Sequence, residues 1–512
     1  MKKQINRFLV LILIASINIQ QAKADVKLPA IISSNMVLQQ NAEVTIWGWA
    51  KSKEKITITS SWNKKKVKTK ADRDGKWSVA LKTPKAGENY RLTIKGKNKI
   101  ELENILMGDI WVCSGQSNMD RVLGLQRGQK PIINFWEASQ QANHPEIRFF
   151  RVKRALADTP QTDVEGEWVV CTPETVLEFS AVGYFFGKKL HQQLGIPIGL
   201  IHTAWGGTPV EGWTRKSDLA NDFMIEKEQD EQARFKLDSA AYAKNMEAFE
   251  KGFLKERPTR PPSFYVKSRK HHRIGHLYNA MIHPLINYAI KGAIWYQGES
   301  NRGFPEQYKQ LFPNMIQTWR KDWGIGDFPF YFVQIAPYYY NGDYAIPHIW
   351  EAQYEALKLP QTGMASTQDI GQIYDIHPPE KEEVGRRLAL VALNQTYGKS
   401  EIAYSGPVLK NTKYNGNQVI LEFDPMGGEL FSAGSGIGGI SPFYIADEFQ
   451  VFHPARVEQK GNTLTLTADG VAKPIAVRYL WNDNANATIF NSYGLPAAGF
   501  RTDEWVGAKY VE

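Results

Sequence analysis

The chain has 512 residues, of which 43% are hydrophobic and 22% charged, with 2 cysteines; this excludes a disordered chain and a disulfide-stapled scaffold and predicts two to four globular domains. The formal charge of +9 counts four basic residues of an apparent export signal (Lys2, Lys3, Arg7, Lys23), which leaves about +5 on the mature chain. So modest a field, with Lys64-Lys65-Lys66 as its densest basic run and no aromatic residue within it, predicts a solvated strand or turn there and no nucleic-acid partner.

Residues 1–24 read as the signal: a basic start, an apolar run from Phe8 to Ile17 and a small-x-small site at Ala22-Lys23-Ala24. A mature protein beginning near Asp25, periplasmic or secreted, is expected, and no later stretch is long and apolar enough to give it a stable membrane span. From 25 to 105, Val44–Trp49, Lys55–Thr59, Trp77–Leu81 and Tyr90–Ile94 alternate at period two between turn signals such as Asp72-Arg73-Asp74-Gly75. They predict a small β-sandwich, immunoglobulin-like in outline.

From 106 to 400 the rhythm becomes strand then helix. Apolar runs at Ile110–Cys113, Ile198–Ala204, Gly292–Tyr296, Pro329–Ala336 and Gly363–Thr367 read as buried strands. Between them helices are expected at Ala181–Leu194 under a Ser180 cap, around Leu277–Ala289, over Pro305–Trp323 and Ile349–Leu359, and from about Pro379. The fold class is therefore α/β, with a parallel sheet covered on both faces. Residues 214–274, charged and helix-favouring, read as a helical insertion with a solvated face. From 401 to 512 strand signals return at Gln418–Phe423, Phe449–Phe452, Thr463–Leu466 and Ala476–Leu480, with loops at Gly427-Gly428 and Gly434-Ser435-Gly436. Cys113 and Cys171 form either one bridge or two buried thiols, with no metal-ligand company.

Four polar clusters stand at predicted strand ends, where open α/β sheets take their ligands. The run Gly108–Cys113 stops at Ser114-Gly115-Gln116-Ser117-Asn118-Met119, which makes Ser117 a candidate nucleophile. Attack by a serine needs a base, a group that orients the base, and donors for the oxyanion. His377 in Asp375-Ile376-His377-Pro378 is the candidate base and Asp375 its candidate partner. Trp205-Gly206-Gly207-Thr208 offers backbone donors, since glycine lets an amide approach a substrate. In Trp295-Tyr296-Gln297-Gly298-Glu299-Ser300-Asn301, Gln297 could donate its side-chain amide while Glu299 and Asn301 hold the loop.

These blocks, in this order, resemble SGNH-type hydrolases, and the sialate O-acetylesterase branch in particular. Leu277-Tyr278-Asn279-Ala280-Met281-Ile282-His283-Pro284-Leu285, Tyr493-Gly494-Leu495-Pro496-Ala497 and Phe500-Arg501-Thr502-Asp503 resemble that branch too, so the likeness spans nearly the whole mature chain. It implies an SGNH-type three-layer α/β/α domain flanked by β-sandwich-like regions, and an exported serine esterase that removes O-acetyl groups from sialic acids or related glycans without metal or cofactor. Carried over, it makes Ser117 the nucleophile, His377 the general base and Asp375 its partner, with the Ser117 and Gly207 amides and the Gln297 side chain as the oxyanion hole. Gln116, Asn118, Trp205, Glu299 and Asn301 are the candidate substrate contacts. In the wider superfamily the Asp and His are two residues apart and the third block supplies an asparagine; here only Ile376 intervenes, and Gln297, Ser300 and Asn301 stand in that block. An acetylated plant polysaccharide such as xylan is an alternative substrate, and a non-catalytic carbohydrate-binding surface protein an alternative of another class.

Overall fold

The computed structural model describes residues 25–219, 222–261, 270–340, 345–433, 442–483, 486–505 and 507–511. The expected signal and the Gly434-Ser435-Gly436 loop lie outside the described residues. The central sheet is built from β1 (Lys99–Gly115), β2 (His144–Arg151), β3 (Trp168–Cys171), β4 (Ile198–Ala204), β5 (Gly292–Tyr296), β6 (Phe330–Val333) and β7 (Thr362–Ala365). Their spatial order is β7-β6-β5-β1-β4-β2-β3, parallel throughout except for β3. From β1 the chain lays down β2, β3 and β4 on one side and then crosses to β5, β6 and β7 on the other, so the topological switch, where a crevice opens at the carboxyl ends of the strands, falls beside the strand that leads into Ser117.

Helices cover both faces, as their apolar faces require. The main ones are α1 (Ser117–Asp120), α2 (Ala181–Leu194), α3 (Asp222–Glu250), α4 (Pro305–Trp323), α5 (Ala345–Tyr354) and α6 (Lys381–Gln395). Neighbours on a strand point to opposite faces. Trp111 of β1 meets Phe186 of α2 at 5.1 Å, whereas Trp295, opposite Ser114, meets Trp319 of α4 at 5.9 Å on the other face. Helix α2 begins where expected because Ser180 Oγ accepts the Gly183 amide at 3.1 Å, and it ends at Gly195 in the left-handed region, φ 63°. Helices α2 and α6 cross closely: a Cβ on Gly385 would lie 2.7 Å from Phe185 Cβ. Of the predicted 214–274 insertion, 29 residues form α3, whose described side chains are mostly half-buried or exposed.

Several expectations change. The stretch Leu277–Ala289 is not an α-helix but a π-turn at Tyr278–Ile282 followed by a 3-10 turn at His283–Leu285; Pro284 lacks the amide that would continue the ladder. Helix α5 starts before Ile349 and gives way at Glu355–Lys358 to a 3-10 turn. Strands β6 and β7 are shorter than their apolar runs; β2 carries no clear strand signal because His144-Pro145-Glu146 and the buried Arg148 break its apolar pattern, and β3 is only four residues long.

Strand β1 serves two layers. Its first part pairs antiparallel with Gly87–Lys95 and parallel with Val37–Gln39, within the N-terminal β region, and its second part lies between β4 and β5. The C-terminal region holds a four-stranded sheet around Gln418–Asp424 and a five-stranded one around Ala476–Tyr479. Cys113 and Cys171 are both free and buried. Among the described residues no helix is long and apolar enough to cross a membrane.

Candidate active site

Strand β1 ends on Gly115, whose φ of 138° suits glycine, and a Cβ there would lie 2.2 Å from the Tyr296 carbonyl oxygen. The chain turns at once into the single turn of α1, with the Gln116 amide donating to Tyr296 O at 2.9 Å. Every residue from Ile105 to Gly124 is buried except Ser117. Its hydroxyl lies 2.8 Å from His377 Nε2, within the reach a nucleophile–base pair needs. Ser114, the other serine of the run, is spent inside the fold, donating to Thr203 O at 2.6 Å.

Burial lowers the basicity of His377, and Lys381 and Arg121 lower it further while Asp375 opposes them. Asp375, expected to orient the imidazole, turns to its own backbone instead. Its Oδ1 accepts the His377 amide at 2.9 Å and its Oδ2 sits 3.4 Å from Lys130 Nζ. With a single residue between them, the carboxylate closes an Asx-type turn rather than reaching the ring. Among the described residues no carboxylate oxygen forms an ion pair with either His377 ring nitrogen.

Gln297 is also displaced from its expected role. Its buried amide nitrogen donates to Thr208 O at 3.2 Å and to Asn301 Oδ1 at 2.7 Å, while its oxygen accepts from Tyr308 at 2.9 Å. Both amide hydrogens are engaged, so none is left for an oxyanion. On the second strand end, Gly206 approaches Ser117: a Cβ there would lie 3.3 Å from Ser117 Cβ. Gly207, with φ 74°, faces open space. The backbone amides of Ser117, Gly206 and Gly207 donate to no acceptor among the described residues.

The five expected substrate contacts divide. Asn118, Glu299 and Asn301 are buried braces: Asn118 Nδ2 donates to Glu299 Oε1 at 2.7 Å, and Asn301 joins Val210 N to Glu211 Oε2. Gln116, buried as well, accepts from the Ser300 amide at 3.2 Å. Trp205 alone is half-buried, its ring stacked 5.2 Å from His271 with Arg154 at 5.6 Å, which leaves it as a wall of the cleft. Two neighbours were not singled out from the sequence. Arg121 is buried beside the serine turn and bonds Gln126 and Lys130 O. Lys381, fully buried, donates to Asn118 Oδ1 at 2.8 Å and to Pro378 O at 2.5 Å. Its only sequence signal is its place four residues after His377. Among the described residues no group of three or more His, Cys, Asp and Glu side chains is placed to hold a metal ion.

Residues 107–249 and 265–394 match the family described as "SASA: Carbohydrate esterase, sialic acid-specific acetylesterase". The sialate O-acetylesterase of Rattus norvegicus is 31% identical over 422 residues, which are 74% of this chain and 75% of that one. That of Mus musculus is 30% identical over 441 residues, 78% of this chain and 79% of its own. A crystal structure of a carbohydrate acetylesterase from Xanthomonas citri superposes with a TM-score of 0.80 at 32% identity, covering 94% of this chain and all of that one.

Proposed function

Because the chain belongs to the sialate O-acetylesterase family of carbohydrate esterases, we propose that it is an exported serine esterase that removes O-acetyl groups from sialic acids or related glycans through an acyl-enzyme. His377 Nε2 takes the proton of Ser117 as its oxygen adds to the acetyl carbonyl. The amides of Ser117 and of Gly206 or Gly207 receive the oxyanion. Collapse of the tetrahedral intermediate breaks the ester bond, and His377 returns the proton to the departing sugar oxygen. Water, deprotonated by the same imidazole, then adds to the acetyl-serine, and acetate leaves as Ser117 regains its proton. The reading keeps a periplasmic or secreted location, on the strength of the signal pattern at residues 1–24.

One observation carries it: within a 20-residue buried run the single accessible side chain is a serine hydroxyl 2.8 Å from a histidine nitrogen. A binding protein has no need of that pair. The test is acetate release from a chromogenic acetyl ester by Ser117→Ala, with labelling by a fluorophosphonate probe. Turnover about 10⁴-fold or more below wild type and no labelling of the variant are expected, since nucleophile and base act as a unit; wild-type turnover by the variant would refute the assignment. Acetate release from O-acetylated sialic acid compared with acetylated xylan decides the substrate class.

A further inference from the structure

We propose that Lys381, acting through Asn118 and the two carbonyls that flank His377, is the positioning residue that holds the imidazole against Ser117, in the place an orienting carboxylate occupies in a three-residue triad. The proposal rests on the esterase reading above. It starts from what the ring lacks: Asp375 bonds the backbone of His377 and not its imidazole. Something else must fix the ring to within the few tenths of an ångström that proton transfer requires.

The structure supplies a clamp on the backbone. On one side of His377, Ile376 O accepts from Asn118 Nδ2 at 3.0 Å; on the other, Pro378 O accepts from Lys381 Nζ at 2.5 Å. The same ammonium donates to Asn118 Oδ1 at 2.8 Å. Asn118 stands next to Ser117 in the one-turn α1, so the histidine loop is tied at both neighbouring carbonyls to the nucleophile's own turn. Glu299 Oε1 accepts the remaining Asn118 hydrogen at 2.7 Å and anchors the set to the end of β5. Both Lys381 and Asn118 are wholly shielded from solvent. A buried ammonium costs several kcal/mol of desolvation, which its bonds to Asn118 Oδ1 and Pro378 O, the nearby Glu299 carboxylate and the Tyr296 ring face at 5.7 Å offset.

The cation also acts on the base. Around Lys381 lie Glu299 from the loop after β5, Arg121 beyond the serine turn, Asp375 on the histidine loop and Glu380 between that loop and the helix; Lys130, which Arg121 bonds through its carbonyl, pairs with Asp375. Burial lowers the Lys381 ammonium to about 7, against the pull of Glu299. Below that pH it is charged and disfavours the protonated imidazole. The acid limb of kcat/KM reports that imidazole, so a residue that only filled space would leave the limb where it is.

The test uses the full chain and a chromogenic acetyl ester, with kcat, KM and the pH profile of kcat/KM read for Lys381→Met and Lys381→Arg beside thermal melts. For Lys381→Met, kcat falls about 10²-fold with KM within about threefold, as misplacement of a catalytic group predicts, and the acid limb moves to higher pH because a cation has left the imidazole. Lys381→Arg keeps the charge and leaves the limb in place. A folded Lys381→Met with wild-type kcat and an unmoved limb overturns the proposal. Should that variant fail to fold, Lys381→Gln, which keeps a donor and removes the charge, carries the test: an unmoved limb with kcat within about twofold overturns it equally. If wild-type Ser117 resists the fluorophosphonate, the esterase reading itself fails; normal labelling with indifferent Lys381 variants sinks the clamp alone.

Discussion

Replacing Asp375 by asparagine separates a residue that shapes a turn from one that fixes an imidazole. The carboxylate has two contacts, the His377 amide at 2.9 Å and Lys130 at 3.4 Å. Asparagine keeps an oxygen to accept the amide and loses only the charge assistance, about 1 kcal/mol. The Lys130 pair, with the lysine side chain 59% exposed, contributes about 0–1 kcal/mol. If all of this were felt in the transition state, kcat/KM would fall roughly tenfold. An acid that holds the base in its productive tautomer contributes about 10⁴-fold, so the two roles differ by orders of magnitude. Because Asp375 raises the basicity of His377, Asp375→Asn also moves the acid limb of kcat/KM to lower pH, opposite to Lys381→Met. The assay is kcat/KM on a chromogenic acetyl ester from pH 5 to 9. A loss of 10³-fold or more at the plateau, with an unchanged melting temperature, would refute the reasoning and return Asp375 to the ring.

Gln297→Ala is expected to lower the melting temperature, since it removes three buried hydrogen bonds, leaving Asn301 Oδ1 with the Val210 amide and the Tyr308 hydroxyl with the Gln297 carbonyl, at about 0.5–1.5 kcal/mol for each bond lost; turnover reduced about 10²-fold with no change in melting would restore it as an oxyanion donor. Burial holds His202 neutral, its pKa lowered to about 4 with Asp120 opposing. The unfolded chain takes up that proton near 6.5 and the folded chain does not, so stability falls as pH drops from 6.5 to 4, by about 3 kcal/mol from this group. Urea unfolding at pH 7 and 4.5 reads the loss, and His202→Gln should flatten the dependence.

Much of this architecture is written in local signals. Helix α2 has its serine cap and its left-handed glycine, and α4 begins on Pro305 and closes on Gly324, φ 63°; such ends are set by their own residues. Strands β4 and β5 are buried runs of the expected length for the same reason. The Ser117, His377 and Gly206-Gly207 clusters were legible because strand ends of a parallel sheet converge. The direction of a side chain was not. Whether Gln297 gives its hydrogens to an oxyanion or to Thr208 depends on residues 89 positions away in the chain, and whether Asp375 meets a ring or an amide depends on how the turn around Ile376 closes. Lys381 reads as an ordinary basic residue at a helix start, and only the fold buries it.

The separation of Ser117 and His377 is set by more than the two loops that carry them. Strand β1 brings the serine turn, and where its N-terminal and central parts meet, Asp109 is held by Gln39 at 2.7 Å, Gln40 at 3.1 Å and Tyr397 at 2.8 Å. The two glutamines belong to the N-terminal β region, and Tyr397 lies just past the end of α6. Lys381, at the start of that same helix, grips Pro378 beside the histidine. A helix of 15 residues is a rigid rod of about 22 Å. One of its ends therefore fixes the register of the serine strand and the other the histidine loop, while Asn118 joins the two at the site. The 2.8 Å contact closes a ring of stiff elements, so a change at the Asp109 seam should reach Ser117 although it lies at the opposite end of the central part of β1.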